Sequence, residues 1–285
     1  MAQKNNKNLN CVEGPLYVDN TCIDCWTCLH IGKDIFKLDS NSLSFVARQP
    51  QTDEDWVQAK EAILSCPVNC IGVINDVRFN QALLSLPRMI TDNIFYCGYT
   101  SRDSYGGTSY FLKTSQGNIL IDSPKFNAQL VQKLKDLGGV DYMFLSHKDD
   151  VADHQKFAEF FHCKRIIHRL EVEEFTCECE IILEEEKDIE FFSDVQIIFT
   201  PGHSKGHLSL LYKNKYLFTG DHLFYSHDED KIFASQNLSW HSWEQQKKSI
   251  AKLLAFDLEW IFPGHGGWCN KTSLQIKREL SKILV

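Results

Sequence analysis

The nine residues SHKDDVADH, Ser146 to His154, decide how this chain is read. They follow the apolar run YMFL at 142–145, and three later segments repeat the arrangement. TPGHSKGH (200–207) follows VQIIF, TGDH (219–222) follows KYLF, and PGHGG (263–267) follows EWIF. Short apolar runs bounded by Gly, Pro and polar residues predict strands, so each segment sets His or Asp on a loop at a strand end. Imidazole nitrogens and carboxylate oxygens are the ligands that hold zinc, manganese or iron at neutral pH. Together His147, Asp153, His154, His203, Asp221 and His265 are enough for two ions.

In order and context these four segments resemble the metal motifs of the metallo-β-lactamase-fold metallohydrolases, over roughly the last two-thirds of the chain. The resemblance implies an αββα sandwich with a dinuclear site at one edge, where a metal-bridging hydroxide attacks the substrate. One departure concerns the first motif. The family pattern is His-x-His-x-Asp-His, and here HKDDVADH has eight residues and no second His. Counting from the left keeps His147 as a ligand and offers Asp149 for the missing His, with Asp150 as its rival. The set implied is His147, Asp149 and His203 on one ion and Asp153, His154 and His265 on the other. Asp221 bridges them, and Asp153 and Asp221 carry catalytic roles.

Upstream, Cys22, Cys25 and Cys28 stand in TCIDCWTCLH, and Cys66 in SCPVNCI. Two-residue spacers let successive thiolates reach different irons of one cubane, and a distant Cys-Pro supplies the fourth. This resembles single-cluster 4Fe-4S ferredoxins over about residues 11 to 77. A second Cys-Pro soon after Cys28 is missing, so one cluster is expected. A zinc ribbon would show two separated Cys-x-x-Cys pairs instead. Cys11 and Cys70 remain as a disulfide or as buried thiols. Thr52 is the expected N-cap of a helix that delivers Cys66.

The fold class expected is therefore α+β, a small ferredoxin-like domain at 1–80, a linker at 81–93 and the sandwich at 94–285. With 43% hydrophobic and 24% charged residues the 285-residue chain has ample core for both. A net charge of −8 argues against nucleic-acid or anionic-membrane surfaces. The start MAQKNNKNLN has no apolar region, so a cytoplasmic location is expected.

The expected cofactors are one 4Fe-4S cluster and two divalent ions, zinc or iron or manganese. The expected partners are a small-molecule substrate and a redox partner protein. Three functions stay open. A hydrolase would act on an ester, thioester, lactone or amide. A redox enzyme would use a carboxylate-rich non-haem diiron site fed by the cluster, which is similar to the centres of flavodiiron proteins. In a non-catalytic protein the cluster would only stiffen a small domain.

Overall fold

The computed structural model describes residues 1–82 and 86–285. The amino-terminal part holds β1 (Leu16–Val18), α1 (Thr27–Ile31), β2 (Phe36–Leu38), β3 (Ser44–Val46), α2 (Asp53–Ser65), β4 (Ile71–Val73) and α3 (Val77–Gln81). Strands β1 and β4 pair antiparallel, and so do β2 and β3. Thr52 caps α2 as expected: its hydroxyl accepts from the Asp55 N–H, and the Asp55 carboxylate accepts from the Thr52 N–H. Reciprocal capping of this kind satisfies two N–H groups that a helix start leaves open. Helix α2 buries Trp56, Ala59 and Ala62 and ends at Cys66.

Two sheets follow. The first is built from β5 (Arg88–Thr91), β6 (Ile94–Tyr96), β7 (Tyr110–Leu112), β8 (Ile119–Ile121), β9 (Tyr142–Phe144), β10 (Lys164–His168) and β11 (Ile181–Leu183). These seven lie side by side in order, antiparallel from β5 to β8 and parallel from β8 to β11. Helices α4 (Ala128–Asp136) and α5 (His154–Phe161) make two of its three parallel crossovers, β8–α4–β9 and β9–α5–β10. The second sheet has six strands in the order β12 (Ile189–Phe192), β13 (Val195–Phe199), β14 (Leu208–Tyr212), β15 (Tyr216–Gly220), β18 (Trp260–Pro263) and β19 (Cys269–Asn270). The hairpin β16 (Phe224–Ser226) and β17 (Lys231–Phe233) and helix α6 (Trp243–Leu253) lie between β15 and β18, and α7 (Ser273–Ile283) follows β19.

Strand alternation sorts the side chains into layers. Tyr110, Leu112, Ile119, Ile121 and Phe144 of one sheet pack against Ile197, Leu210, Phe218 and Phe262 of the other. Phe111, Leu120 and Met143 face outward onto Leu130, Leu134 and Phe157 of α4 and α5. Ile198, Leu211, Leu217 and Ile261 face α6 and α7. The result is the four-layer αββα sandwich, behind a ferredoxin-like part. Within 81–93, expected as a linker, Arg88–Thr91 is an edge strand, and residues 83–85 lie outside the described residues. Among the described residues no helix is long and apolar enough to cross a membrane.

Strand direction places the site. Both β13 and β15 run antiparallel to β14, and β18 runs parallel to β15, so all three end on one edge. The Leu208 N–H donates to the Ser146 carbonyl at 2.8 Å, bringing the end of β9 to the same edge. Buried Tyr110 donates its hydroxyl to the Pro263 carbonyl at 2.8 Å, across the two sheets. Tyr110→Phe leaves that carbonyl unpaired, and we expect a loss of about 1–3 kcal/mol. Thermal unfolding checks this, at about 2–4 °C per kcal/mol in a chain of this size. An unchanged midpoint would show that the bond contributes nothing.

Candidate metal centre and cluster loop

His147 comes directly after Leu145 and Ser146 at the end of β9, and Ser146 hydroxyl lies 3.0 Å from its Nδ1. His203 has Nδ1 2.6 Å from the Leu238 carbonyl, so Nδ1 carries the proton and donates. In both rings Nε2 is left free, the arrangement by which a hydrogen bond on one nitrogen sets the tautomer of a metal-binding histidine. The Nε2 atoms of His147, His203 and His265 stand 3.8, 3.8 and 3.5 Å from Asp221 Oδ2. Asp149 Oδ2 is 3.9 Å from His147 Nε2, and Asp150 Oδ1 is 4.0 Å from His265 Nε2. Donors that share one ion, each about 2.1 Å from it, stand about 3 to 4 Å apart. In two groups, His147 with Asp149 and His203, and His147 with Asp150 and Asp221, one ligand atom from each residue lies within 4.8 Å of the others.

Burial sharpens the case. His147 Nε2, His203 Nε2, Asp150 Oδ2 and Asp221 Oδ1 are buried without a hydrogen-bond partner. Buried polar atoms rarely stay unpaired, and a pair of cations would satisfy these four. Burial pushes the His147 ring down to about 3, so it is neutral and ready to donate a lone pair. Burial first, then the Asp221, Asp122 and Asp149 carboxylates, push Asp150 well above its usual range. Three carboxylates this close repel one another until cations lie between them. The residues present thus fit a dinuclear metal centre.

Asp153 and His154, expected as ligands on the second ion, are not brought into this group. One Asp153 oxygen accepts from the Phe126 N–H at 2.8 Å and the other from the Lys156 ammonium at 2.6 Å. On His154, Nδ1 lies 3.3 Å from the Arg165 guanidinium and Nε2 lies 3.1 Å from the Phe175 carbonyl. A guanidinium only donates and a carbonyl only accepts, so both ring nitrogens are taken and no lone pair remains for a metal. Because two extra residues separate His147 from α5, His154 opens that helix away from the site. Asp150 stands in the space instead, so the rivals Asp149 and Asp150 both reach the centre.

Three surrounding residues, Glu171, Tyr105 and Trp240, gave no motif signal. Buried Glu171 accepts from the Lys148 N–H at 3.2 Å with one oxygen and from the Gly206 N–H at 2.6 Å with the other. It clamps the loop of His147 to the loop of His203. Tyr105 and Trp240 place their rings 6.4 Å from His265 and 6.3 Å from His203. His207, with Nδ1 3.0 Å from Thr200 hydroxyl, packs 5.3 Å from the His147 ring. His222, at the end of the TGDH segment, is fully buried with neither ring nitrogen paired.

The cysteine loop turns through left-handed conformations at Asp24 (φ 58°) and Trp26 (φ 63°), which curl it around one cavity. Cys22, Cys25, Cys28 and Cys66 all line that cavity, and so does Cys70. Among the described residues every cysteine is a free thiol. Cys70 Sγ is 3.5 Å from Cys66 Sγ. Its hydrogen bonds bring the Cys22 and Cys66 thiols down to about 6 and about 7, and those same bonds hold Cys70 protonated. Cys70 is thus placed as an S–H donor toward two ligands. Cys11 is elsewhere, accepting from the Val18 and Val46 N–H groups.

The two sites adjoin. A β-carbon on Gly106 would lie 3.0 Å from Cys25 Sγ, and one on Gly107 would lie 2.7 Å from Asp150 Oδ1. With adjacent Cα atoms 3.8 Å apart, Cys25 Sγ and Asp150 Oδ1 are within about 13 Å of each other. Asp24, Cys25 and Trp26 line the same cavity, about 510 Å³, as Asp149, Asp150, His203, Asp221 and His265.

Residues 95–269 match the family model described as Metallo-beta-lactamase superfamily. Residues 18–73 match that of the 4Fe-4S single cluster domain of Ferredoxin I. Among solved structures, the chain is similar to TTHA1623 in a di-iron-bound form, at 20% identity and a TM-score of 0.50, covering 61% of this chain and 93% of that one. It is also similar to a metallo-beta-lactamase from Hirschia baltica, at 16% identity and a TM-score of 0.53, covering 69% and 95%. The values for VMB-1 are the same. At such identities the likeness shows the fold alone.

Asp150→Asn should lower metal content in the sandwich, whereas Asp153→Asn should leave it unchanged; metal analysis per chain reads both. Loss of metal in the Asp153 variant alone would restore the ligand set expected from the sequence. Cys66→Ser should abolish the cluster absorbance, while Cys70→Ala keeps it and lowers the reduction potential, since a hydrogen bond to cluster sulfur favours the reduced state.

Proposed function

Because the chain belongs to the metallo-beta-lactamase superfamily and carries a single-cluster ferredoxin segment ahead of that domain, we propose that it is an oxidoreductase with a carboxylate-rich dinuclear iron centre coupled to the 4Fe-4S cluster. One observation carries this reading: the cluster loop and the metal ligands line one cavity and come within about 13 Å. A cluster serving only as a staple has no need to lie there.

His147, Asp149, Asp150, His203, Asp221 and His265 would hold the ions, and Cys22, Cys25, Cys28 and Cys66 the cluster. Three carboxylates among six ligands make a hard set that favours iron or manganese over zinc. Bound there, iron supplies one-electron redox change and the cluster a store of electrons. The protein does the rest. Asp221, central to three imidazoles, keeps the two ligand groups in register. The Asp149 side chain is 54% exposed, against 12% for Asp221 and 3% for Asp150. It is the carboxylate placed to pass protons between solvent and the site. Trp26 and Tyr105 cover the cavity on the cluster side. The external electron donor would be a redox partner protein.

The hydrolase reading keeps one observation in its favour. A cavity of about 510 Å³ is far larger than a diatomic gas requires and would admit an organic ester, thioester or lactone. Metal content separates the two. Anaerobically purified protein should hold about six irons with four acid-labile sulfides per chain, and a reductive titration should take up about three electrons. Four irons with two zincs, and uptake of one electron, would overturn the redox reading in favour of hydrolysis.

A further inference from the structure

The walls of the shared cavity beyond the metal ligands are of two kinds. Trp26, Tyr105, Phe224, Leu238 and Trp240 supply aromatic and apolar surface, and Asp24 and Asp103 supply negative charge. Among the described residues lining it there is no Lys or Arg. The contrast with the neighbouring cavity is sharp. That space, about 480 Å³ and also lined by Trp26, has Lys33, Lys37 and Lys231 in its wall beside Asp228 and Glu229. Basic side chains are thus available in this part of the molecule and are kept out of the metal cavity.

Two of the rings stand open to solvent at the mouth. Tyr105 is 56% exposed and Trp240 is 67% exposed, on opposite flanks of the site beside His265 and His203. Trp26 is held by its own neighbour, its indole N–H donating to Asp24 Oδ1 at 2.9 Å. The second Asp24 oxygen has no such bond. In the metal centre, three ligand carboxylates would stand against two divalent ions. Asp24 and Asp103 add negative charge to the cavity wall, Asp103 also interacting with the Lys156 ammonium outside it, and a 4Fe-4S cluster with four thiolates is itself anionic.

We propose that this cavity binds a small organic molecule carrying a positively charged ammonium group, held by the faces of Trp26, Tyr105 and Trp240 and by the carboxylates of Asp24 and Asp103. Cations sit over aromatic faces because the ring quadrupole is negative there, and aromatic cages use this to recognise ammonium ligands. The same walls repel phosphates, sulfonates and carboxylates. The proposal rests on the reading of this cavity as the reaction chamber and names the charge class of what enters it. It holds for either chemistry at the metals.

The test is isothermal titration calorimetry, under anaerobic conditions, of the full metal-loaded chain with two probes of like shape and opposite charge, phenyltrimethylammonium and benzenesulfonate. The ammonium should bind about tenfold or more tightly than the sulfonate. Trp240→Ala and Asp103→Asn should each weaken it by about three- to tenfold with iron and sulfide content unchanged. Equal or tighter binding of the sulfonate, no measurable binding of the ammonium, or binding indifferent to both substitutions would overturn the proposal. Two zincs per chain with the ammonium preference intact would instead sink the redox reading and leave this inference standing.

Discussion

Gly106 and Gly107 pass between a cysteine of the cluster loop and a buried aspartate of the metal centre, with no room for a side chain on either. A β-carbon 2.7 Å from Cys25 Cβ or from Asp150 Oδ1 is a clash that neither neighbour can absorb, because each is itself a candidate ligand. The loop is bonded on both sides. The Thr27 hydroxyl donates to the Gly106 carbonyl at 3.3 Å, and the Thr108 N–H donates to the Gly264 carbonyl at 2.6 Å, next to His265. Further ties hold the ferredoxin-like part on the sandwich. Thr100 hydroxyl donates to the Ser65 carbonyl at 2.6 Å, and the Tyr105 hydroxyl donates to the Ile23 carbonyl. Close approach of two cofactor loops is thereby a built property of the backbone.

The metal centre itself depends on how its ligands are held. Burying three imidazoles and three carboxylates together is unfavourable for the bare chain, since burial favours the neutral form of each acid while the acids repel one another. The fold compensates by holding two of the imidazoles and their loops from behind. Leu238 carbonyl fixes the His203 tautomer, Ser146 hydroxyl orients His147, and Glu171 binds the two ligand loops to each other. What remains unpaired is the inward-facing set of Nε2 and carboxylate oxygen atoms. Those atoms are what a pair of cations would satisfy.

Placing Cys70 among the cluster ligands has a similar logic. Its thiol shares the cavity with four thiols that would serve as ligands, and its proton is directed at Cys22 and Cys66. Hydrogen bonds to sulfur are among the main ways a protein sets the potential of such a cluster.

Much of this was legible in the chain. Periods of apolar residues marked the strands before His147, His203, Asp221 and His265, and Thr52 marked the helix that ends at Cys66, because these signals are local in origin. The Cys-x-x-Cys-x-x-Cys run with its distant Cys-Pro and the four His and Asp segments carried the two domain families for the same reason. What the sequence could not decide was direction in space. Asp149 and Asp150 are adjacent, yet both reach the centre, while Asp153 and His154, which match the motif better by type, turn away because α5 begins there and Arg165, Phe175, Phe126 and Lys156 take their polar atoms. Cys70, Glu171, Tyr105 and Trp240 belong to no spacing pattern and acquire meaning only from neighbours distant in sequence. The chain alone determined which ligand types were present and on which strand ends. The tertiary structure decided which of them converge, and that the two cofactor sites share one cavity, since both depend on contacts between loops that no local propensity encodes.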